Sequence, residues 1–220
     1  MLETAEQINR ASEPLVTYEE RLSRSPRWAI LEGSTHFDKT NQVFKTLERI
    51  ITRLNEIGVP YVLVGGLAMF YHGYRRFTEG VDLLVTREDL KTIHERLEGL
   101  GYGPPFTGSR HLRDVQSGVK IEFLVTGDYP GDGKPKAVSF PNPHVVAVDI
   151  DGINCLDVAT LVELKLASGT MPHRLKDLGD VQELIRTLDL PVELSDRLDP
   201  SVADSYRSLW KQVKSAPPEG

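Results

Sequence analysis

An α/β fold, a sheet covered by helices and followed by a helical C-terminal region, is what the sequence predicts. Three observations carry that reading. Tyr61 to Val85, YVLVGGLAMFYHGYRRFTEGVDLLV, reads as a strand, a Gly65-Gly66 turn, a short helix and a second strand. The succession of strand, turn and helix then comes a second time. From Asp157 onward, apolar residues keep to helical spacing.

A chain of 220 residues buries one principal core with room for a small helical annex. Its apolar fraction of 40% and charged fraction of 26% describe a globular chain rather than a disordered one. With 26 basic against 32 acidic residues the formal charge is -6, which argues against a broad non-specific nucleic-acid surface and leaves a local basic groove open. The single cysteine, Cys155, excludes an intrachain disulfide and a Cys-rich zinc site, and reads as a small residue near a buried strand end. No run approaches the roughly 20 apolar residues of a membrane span. The opening MLETAEQINR lacks a hydrophobic signal core, so the expectation is a cytoplasmic protein with no membrane partner.

In order, residues 1–40 read as an N-terminal extension with isolated Leu15, Leu22, Trp28 and Ile30, docking through Trp28, its first dozen residues a poorly ordered leader. Residues 41–155 form the α/β core and 156–220 a helical region packed on it. Val43, Phe44, Leu47, Ile50, Ile51, Leu54 and Ile57 define an amphipathic helix stopped by Gly58 and Pro60, with Lys45, Glu48, Arg49, Arg53 and Glu56 on a solvated face. Tyr61 to Val64 is a short interior strand. Gly65 and Gly66 allow a tight turn, let another group approach the backbone, and place free N–H groups where a phosphate would be received. A helix over 67–71 stops at His72-Gly73, and a strand follows over 81–85. The next helix carries Leu90, Ile93, Leu97 and Leu100 on one face. Residues 103–118 form a connection or hairpin.

Val119 to Val125, VKIEFLV, alternates as a strand and plants Glu122 in its interior, either in a functional role or in a salt bridge. Thr126 to Pro143 is a long irregular excursion, either a substrate lid carrying Tyr129 and Lys134 or an edge loop held by Tyr129 and Phe140. Val145 to Ile150 gives a further strand, and Asp151-Gly152 a turn. Asp157 caps a helix ended by Gly169. A second helix runs from Pro172 to a stop at Pro191, and a last one covers 201–215.

Phosphoryl or nucleotidyl transfer asks for carboxylates that hold divalent ions and for groups that position a triphosphate. Positions 80 and 82 share a strand face, but only Asp82 brings a carboxylate. Arg75 and Arg76 lie close by in sequence and would either accept phosphate or face solvent. Lys165 would either touch triphosphate oxygens or lay its stem on apolar surface. Lys176 and Asp180, four apart, would line a cleft or pair across a helix turn. His72 would orient substrate or make a structural hydrogen bond at a helix end.

The run VGGLAMFYHGYRRFTEGVDLLV resembles the signature of nucleotidyltransferase-fold proteins, in particular the small bacterial members related to the minimal nucleotidyltransferases and to the abortive-infection toxin nucleotidyltransferases. The similarity extends over about residues 43–188 and implies a nucleotidyltransferase-like mixed sheet flanked by helices. Gly65 and Gly66 match the family's turn, Asp82 its second acid and Glu122 its third, while LVELKLASGTMPHRLKDLGDVQEL matches its helical part with Lys165, Arg174, Lys176, Asp177 and Asp180. Where the family has its first metal-binding acid this chain has Gly80, with Glu79 adjacent as a substitute ligand if a β-bulge re-aims it. The resemblance implies Mg2+ (or Mn2+) held by Asp82 and Glu122, an NTP as substrate, and transfer of NMP to a hydroxyl of an RNA, a protein or a small molecule. Gly65, Gly66, Arg76, Lys165, Arg174 and Lys176 would bind nucleotide. His72, Asp177 and Asp180 would shape the cleft, and a cognate protein partner is part of the same expectation. With Gly80 in that place three readings stand open: a transferase with a shifted carboxylate, a slow or decayed enzyme, and, as the alternative to transfer, a non-catalytic nucleotide-binding or protein-partner module on that fold.

Overall fold

The computed structural model describes residues 16–216. Its strands are β1 (Val62–Val64), β2 (Gly80–Val85), β3 (Tyr102–Gly103), β4 (Leu112–Asp114), β5 (Lys120–Val125), β6 (Ala147–Ile150) and β7 (Ile153–Leu156). They form one seven-stranded sheet in the order β3-β4-β5-β2-β1-β7-β6. The sheet is mixed: β2 runs parallel to β5 and antiparallel to β1, and β7 runs parallel to β1. Central strands β1 and β2 are apolar because helices cover them, with Val62, Leu63, Val81, Leu83 and Leu84 fully buried.

Residues 18–36 form two helices where the sequence shows no sustained period. Capping supplies the signal instead. In α1 (Tyr18–Arg24) Thr17 and Glu20 make a reciprocal capping box, and in α2 (Pro26–His36) Ser25 caps with Pro26 at the first turn. The segment docks through Tyr18 as well as Trp28. Tyr18 is fully buried, its ring meets Trp28 edge-on at 5.2 Å, its hydroxyl donates to Glu32 Oε2 at 2.9 Å, and its N–H reaches Gly118 O. Ile30 is 73% exposed, and the leader expected over the first dozen residues, like Leu15, lies outside the described residues.

Helix α3 (Gln42–Glu56), capped by Asn41, buries the apolar stripe read from the sequence. Arg49, assigned there to a solvated face, instead reaches Asp114 Oδ2 at 2.6 Å. Helix α4 (Gly65–Tyr71) starts at the diglycine itself, two residues before its expected start. Helix α5 (Arg87–Leu97) ends before Leu100, which is 63% exposed rather than on the buried face.

Beyond the loop, Val145 and Val146 belong to a short helical turn, α6 (Pro143–Val146), because Asn142 caps it and Pro143 opens it. Strand β6 is therefore shorter than expected. The turn at Asp151-Gly152, both with φ near +60 to +80°, returns the chain into β7. The sequence reading places Cys155 near a buried strand end without assigning INCL to a strand; strand β7 lies inside the sheet between β1 and β6 and carries Cys155, which is fully buried. Helices α7 (Val158–Gly169) and α8 (Leu175–Thr187) pack side by side, and α9 (Pro200–Ser215) closes them. Trp210 Nε1 donates to Leu190 O and the Tyr206 hydroxyl to Pro191 O. Among the described residues, no helix is long and apolar enough to cross a membrane.

Candidate functional site

The register of β2 on β5 builds the centre of the site. Gly80 pairs with Lys120 and Asp82 with Glu122, and the ladder continues unbroken to Val85 and Val125. Side chains two apart share a strand face, so Asp82, Lys120 and Glu122 point to one side of the sheet while Val81, Leu83, Ile121 and Phe123 fill the core on the other. On that side lies a cleft of about 720 Å³ lined by Gly65, Gly66, Asp82, Glu122 and residues of the 126–143 loop and of α7 and α8. The two acids and the diglycine thus meet in one cavity.

The diglycine is required by close approach. Gly65 has φ +65°, and a Cβ there would lie 2.1 Å from Asp82 Oδ2; at Gly66 it would lie 2.9 Å from Thr78 Oγ1. The group that nears the backbone is therefore the Asp82 carboxylate. Burial, and after it the negative charge of Glu122, pushes the Asp82 carboxyl up to about 6, against the pull of Lys165, Lys120 and Arg76. Glu122 goes the other way. Burial would raise it, but the Lys120 hydrogen bond and charge, with His111 and Arg174, hold it below its ordinary value. Lys120 Nζ donates to Glu122 Oε2 at 2.5 Å, so Glu122 makes the salt bridge, one of its two readings, and it does so while lining the cleft.

His111 belongs to this site and the sequence reading passed over it. Its Nδ1 accepts the Phe123 N–H at 3.3 Å, which leaves Nε2, 4.0 Å from Glu122 Oε1, to carry the ring proton. Burial lowers its pKa against the pull of Glu122. Its place just before β4 is what brings it over β5, a cross-strand relation that local sequence does not carry.

The opposite wall is a buried ion cluster. Lys165 on α7 donates to Asp177 Oδ1 at 2.8 Å and Asp180 Oδ2 at 2.7 Å, both on α8. Ser168 and Arg174 Nε also donate to Asp177 Oδ2, at 2.8 and 2.9 Å. Arg76 Nη2 reaches Asp180 Oδ2 at 3.2 Å, and its Nε sits 3.0 Å from Oδ1 outside hydrogen-bond geometry. Burial would raise Asp177, but Lys165, Ser168 and Arg174 together keep it low. Three cations face two carboxylates here, so the wall has one positive charge in excess. Lys176 is exposed, lines the cleft and makes no ion pair among the described residues; its expected i,i+4 partner Asp180 is taken by Lys165 and Arg76.

Other expected residues fall elsewhere. Glu79 is exposed just ahead of β2, and no bulge interrupts the pairing that would re-aim it; it borders a depression of about 490 Å³ next to the cleft, with Gly80, Asp82, Lys120 and Glu122. His72 Nε2 donates to Leu156 O at 2.7 Å, the structural bond at the end of α4. Arg75 is exposed beside the Phe70 ring. Tyr129 lines the cleft, and Lys134 is exposed away from its lining. The 126–143 loop is held by Asp128 on Arg87 and Arg110, and by Phe140 in the core.

The donor set fits one divalent ion and not two. Among the described residues no three His, Cys, Asp or Glu side chains come together as a ligand group; of the cleft's carboxylates, Asp128, Asp132 and Asp177 are tied to arginines and lysines, and Asp82 and Glu122 are the two that pair at its floor.

No family model matches the chain, and no curated protein matches it in sequence. Among solved structures it is similar to ANT(2")-Ia, an aminoglycoside nucleotidyltransferase in complex with adenylyl-2"-tobramycin, at 11% identity over 78% of this chain and 98% of that one, with a TM-score of 0.47. The solution structure of ANT(2'')-Ia aligns at 12% identity over 83% and 95%, TM-score 0.47. JHP933 from Helicobacter pylori aligns at 14% identity over 78% and 90%, TM-score 0.44. The likeness is one of loose outline, and the functional reading rests on this chain's own residues.

Proposed function

We propose that the protein is a nucleotidyltransferase that moves NMP from an NTP onto a hydroxyl of an RNA, protein or small-molecule acceptor. The observation that supports it is the pairing of Asp82 with Glu122 across β2 and β5 at the floor of a cleft whose facing wall is net positive. The triphosphate would lie along that wall, met by Lys176, Arg174 and Arg76, which line the cleft. In the transfer, the acceptor hydroxyl oxygen bonds to the α-phosphorus, the bond to the α,β-bridging oxygen breaks, and pyrophosphate leaves with that electron pair. The hydroxyl proton passes to water at the open mouth of the cleft. The chain contributes mainly alignment and charge stabilisation. Asp82 and Glu122 would hold one Mg2+ or Mn2+, which supplies Lewis-acid stabilisation of the α-phosphate oxygens when bound.

Gly80 favours a second reading, a non-catalytic nucleotide-binding or partner module, because it leaves the floor one carboxylate short. Labelled-NTP transfer with Mg2+ or Mn2+, run on the protein, Gly80→Asp and Glu79→Ala, separates the two. Transfer by the unaltered chain supports the enzyme. Activity already present and lost in Glu79→Ala would make Glu79 a ligand, and strong gain in Gly80→Asp alone would favour a decayed enzyme. No transfer in any form, with no nucleotide bound, overturns the enzyme.

A further inference from the structure

We infer that Lys120 is a built-in cation that takes the place of one divalent ion, so that the chain binds a single such ion with its nucleotide. The inference rests on the transfer reading above and sharpens it. On the cleft side of the sheet, β2 and β5 present a block of four positions: Gly80 beside Lys120 and Asp82 beside Glu122. Three carry side chains. The Lys120 ammonium bonds to Glu122 Oε2 at 2.5 Å, and its charge also bears on Asp82.

Formal charge makes the substitution balanced. Two carboxylates and one ammonium give the block a single negative charge, which one divalent ion turns into a single positive charge. A block with a third carboxylate at position 80 and no ammonium would carry three negative charges, and two divalent ions would bring it to the same final value. Adding a second ion to the block as it stands would leave three positive charges on adjacent positions of two strands, a repulsion that the partial solvent exposure of Lys120 and Glu122 screens only in part. Glycine at 80 and lysine at 120 therefore act as one unit. A Cβ at 80 would meet Lys120 O at 3.2 Å and Lys120 Cβ at 4.0 Å, so the two positions are in direct contact.

The test counts Mn2+ by electron paramagnetic resonance on the full chain, with α,β-methylene analogues of each of the four NTPs. The unaltered protein is expected to bind one Mn2+ per chain with nucleotide, and Gly80→Asp/Lys120→Met two. In the nucleotide-free state Lys120→Met should tighten Mn2+ binding roughly fivefold or more, since Glu122 loses its competing partner. Two ions in the unaltered protein, a count that needs no variant to fold, overturn the inference and leave the transfer reading standing. So do unchanged Mn2+ affinity in Lys120→Met and a single ion in the double variant. Failure of all four analogues to bind the unaltered protein overturns the transfer reading itself.

Discussion

Asp82 and Glu122 stand side by side in register on parallel strands, and their carboxyls are driven in opposite directions, Asp82 up and Glu122 down. The difference comes from what each touches. Glu122 has the Lys120 ammonium on one oxygen, whereas Asp82 is pressed against the Gly65 backbone and feels Glu122's charge.

Asp82 therefore weakens the fold when ionised. Its folded value, about 6 against the ordinary 3.8, means the folded state holds the proton more tightly. The penalty is absent below the unfolded value and complete above the folded one, where a shift of that size corresponds to about 3 kcal/mol. In the presence of a chelator, Asp82→Asn should raise the melting temperature at pH 8 and leave it unchanged near pH 3.5. Nucleotide transfer should fall by roughly 100-fold or more, the scale of losing an electrostatic stabiliser of the transition state. Thermal scans at the two pH values and a transfer assay check both.

Gly65→Ala and Gly58→Ala form a matched pair. Both glycines have positive φ, +65° and +70°, so both variants should lose roughly 1–2 kcal/mol of stability in denaturant titrations. Only at Gly65 would the new methyl displace Asp82, since nothing lies within 4 Å of a Cβ at Gly58. Transfer should survive in Gly58→Ala and be lost in Gly65→Ala.

The ion cluster predicts a stability loss of a different kind. Lys165→Met removes the cation shared by Asp177 and Asp180 and leaves two buried carboxylates to Arg76 and Arg174, at a cost of roughly 3 kcal/mol at pH 7. Asp177 is depressed below 3.8 by its partners, so its contribution is present above that value and lost as pH falls through the lower folded one. The gap between Asp177→Asn and the unaltered protein in urea titrations should therefore close in strong acid.

His111 should be neutral at pH 7 with its proton on Nε2. Its folded pKa lies below 6.5, and protonating Nδ1 breaks the bond from the Phe123 N–H, so this contribution is lost as pH falls below the unfolded value. Nitrogen-15 correlation spectra of the ring report the tautomer directly, and an Nδ1–H signal at pH 7 would contradict the assignment.

Much of this was legible in the chain. The α3 stripe, the diglycine, the alternation in VKIEFLV and the capping Asp157 each locate an element within a few residues, because each is a local pattern with a local cause. What escaped was set by partners distant in sequence. INCL is too short and mixed to announce an interior strand until β1 and β6 flank it. His111 joins the site only through the pairing of β4 with β5. Tyr18 and its two helices are specified by caps rather than by periodicity.

Arg76 precedes β2, Lys165 belongs to α7 and Asp180 to α8, and all three are joined through one carboxylate. That shared joint fastens sheet to helical region, so the two walls of the cavity move as one piece and hinge-bending between them would have to break a buried charge contact. The 126–143 segment is fastened differently, with Asp128 held by two exposed arginines, Arg87 and Arg110, in contacts that water screens.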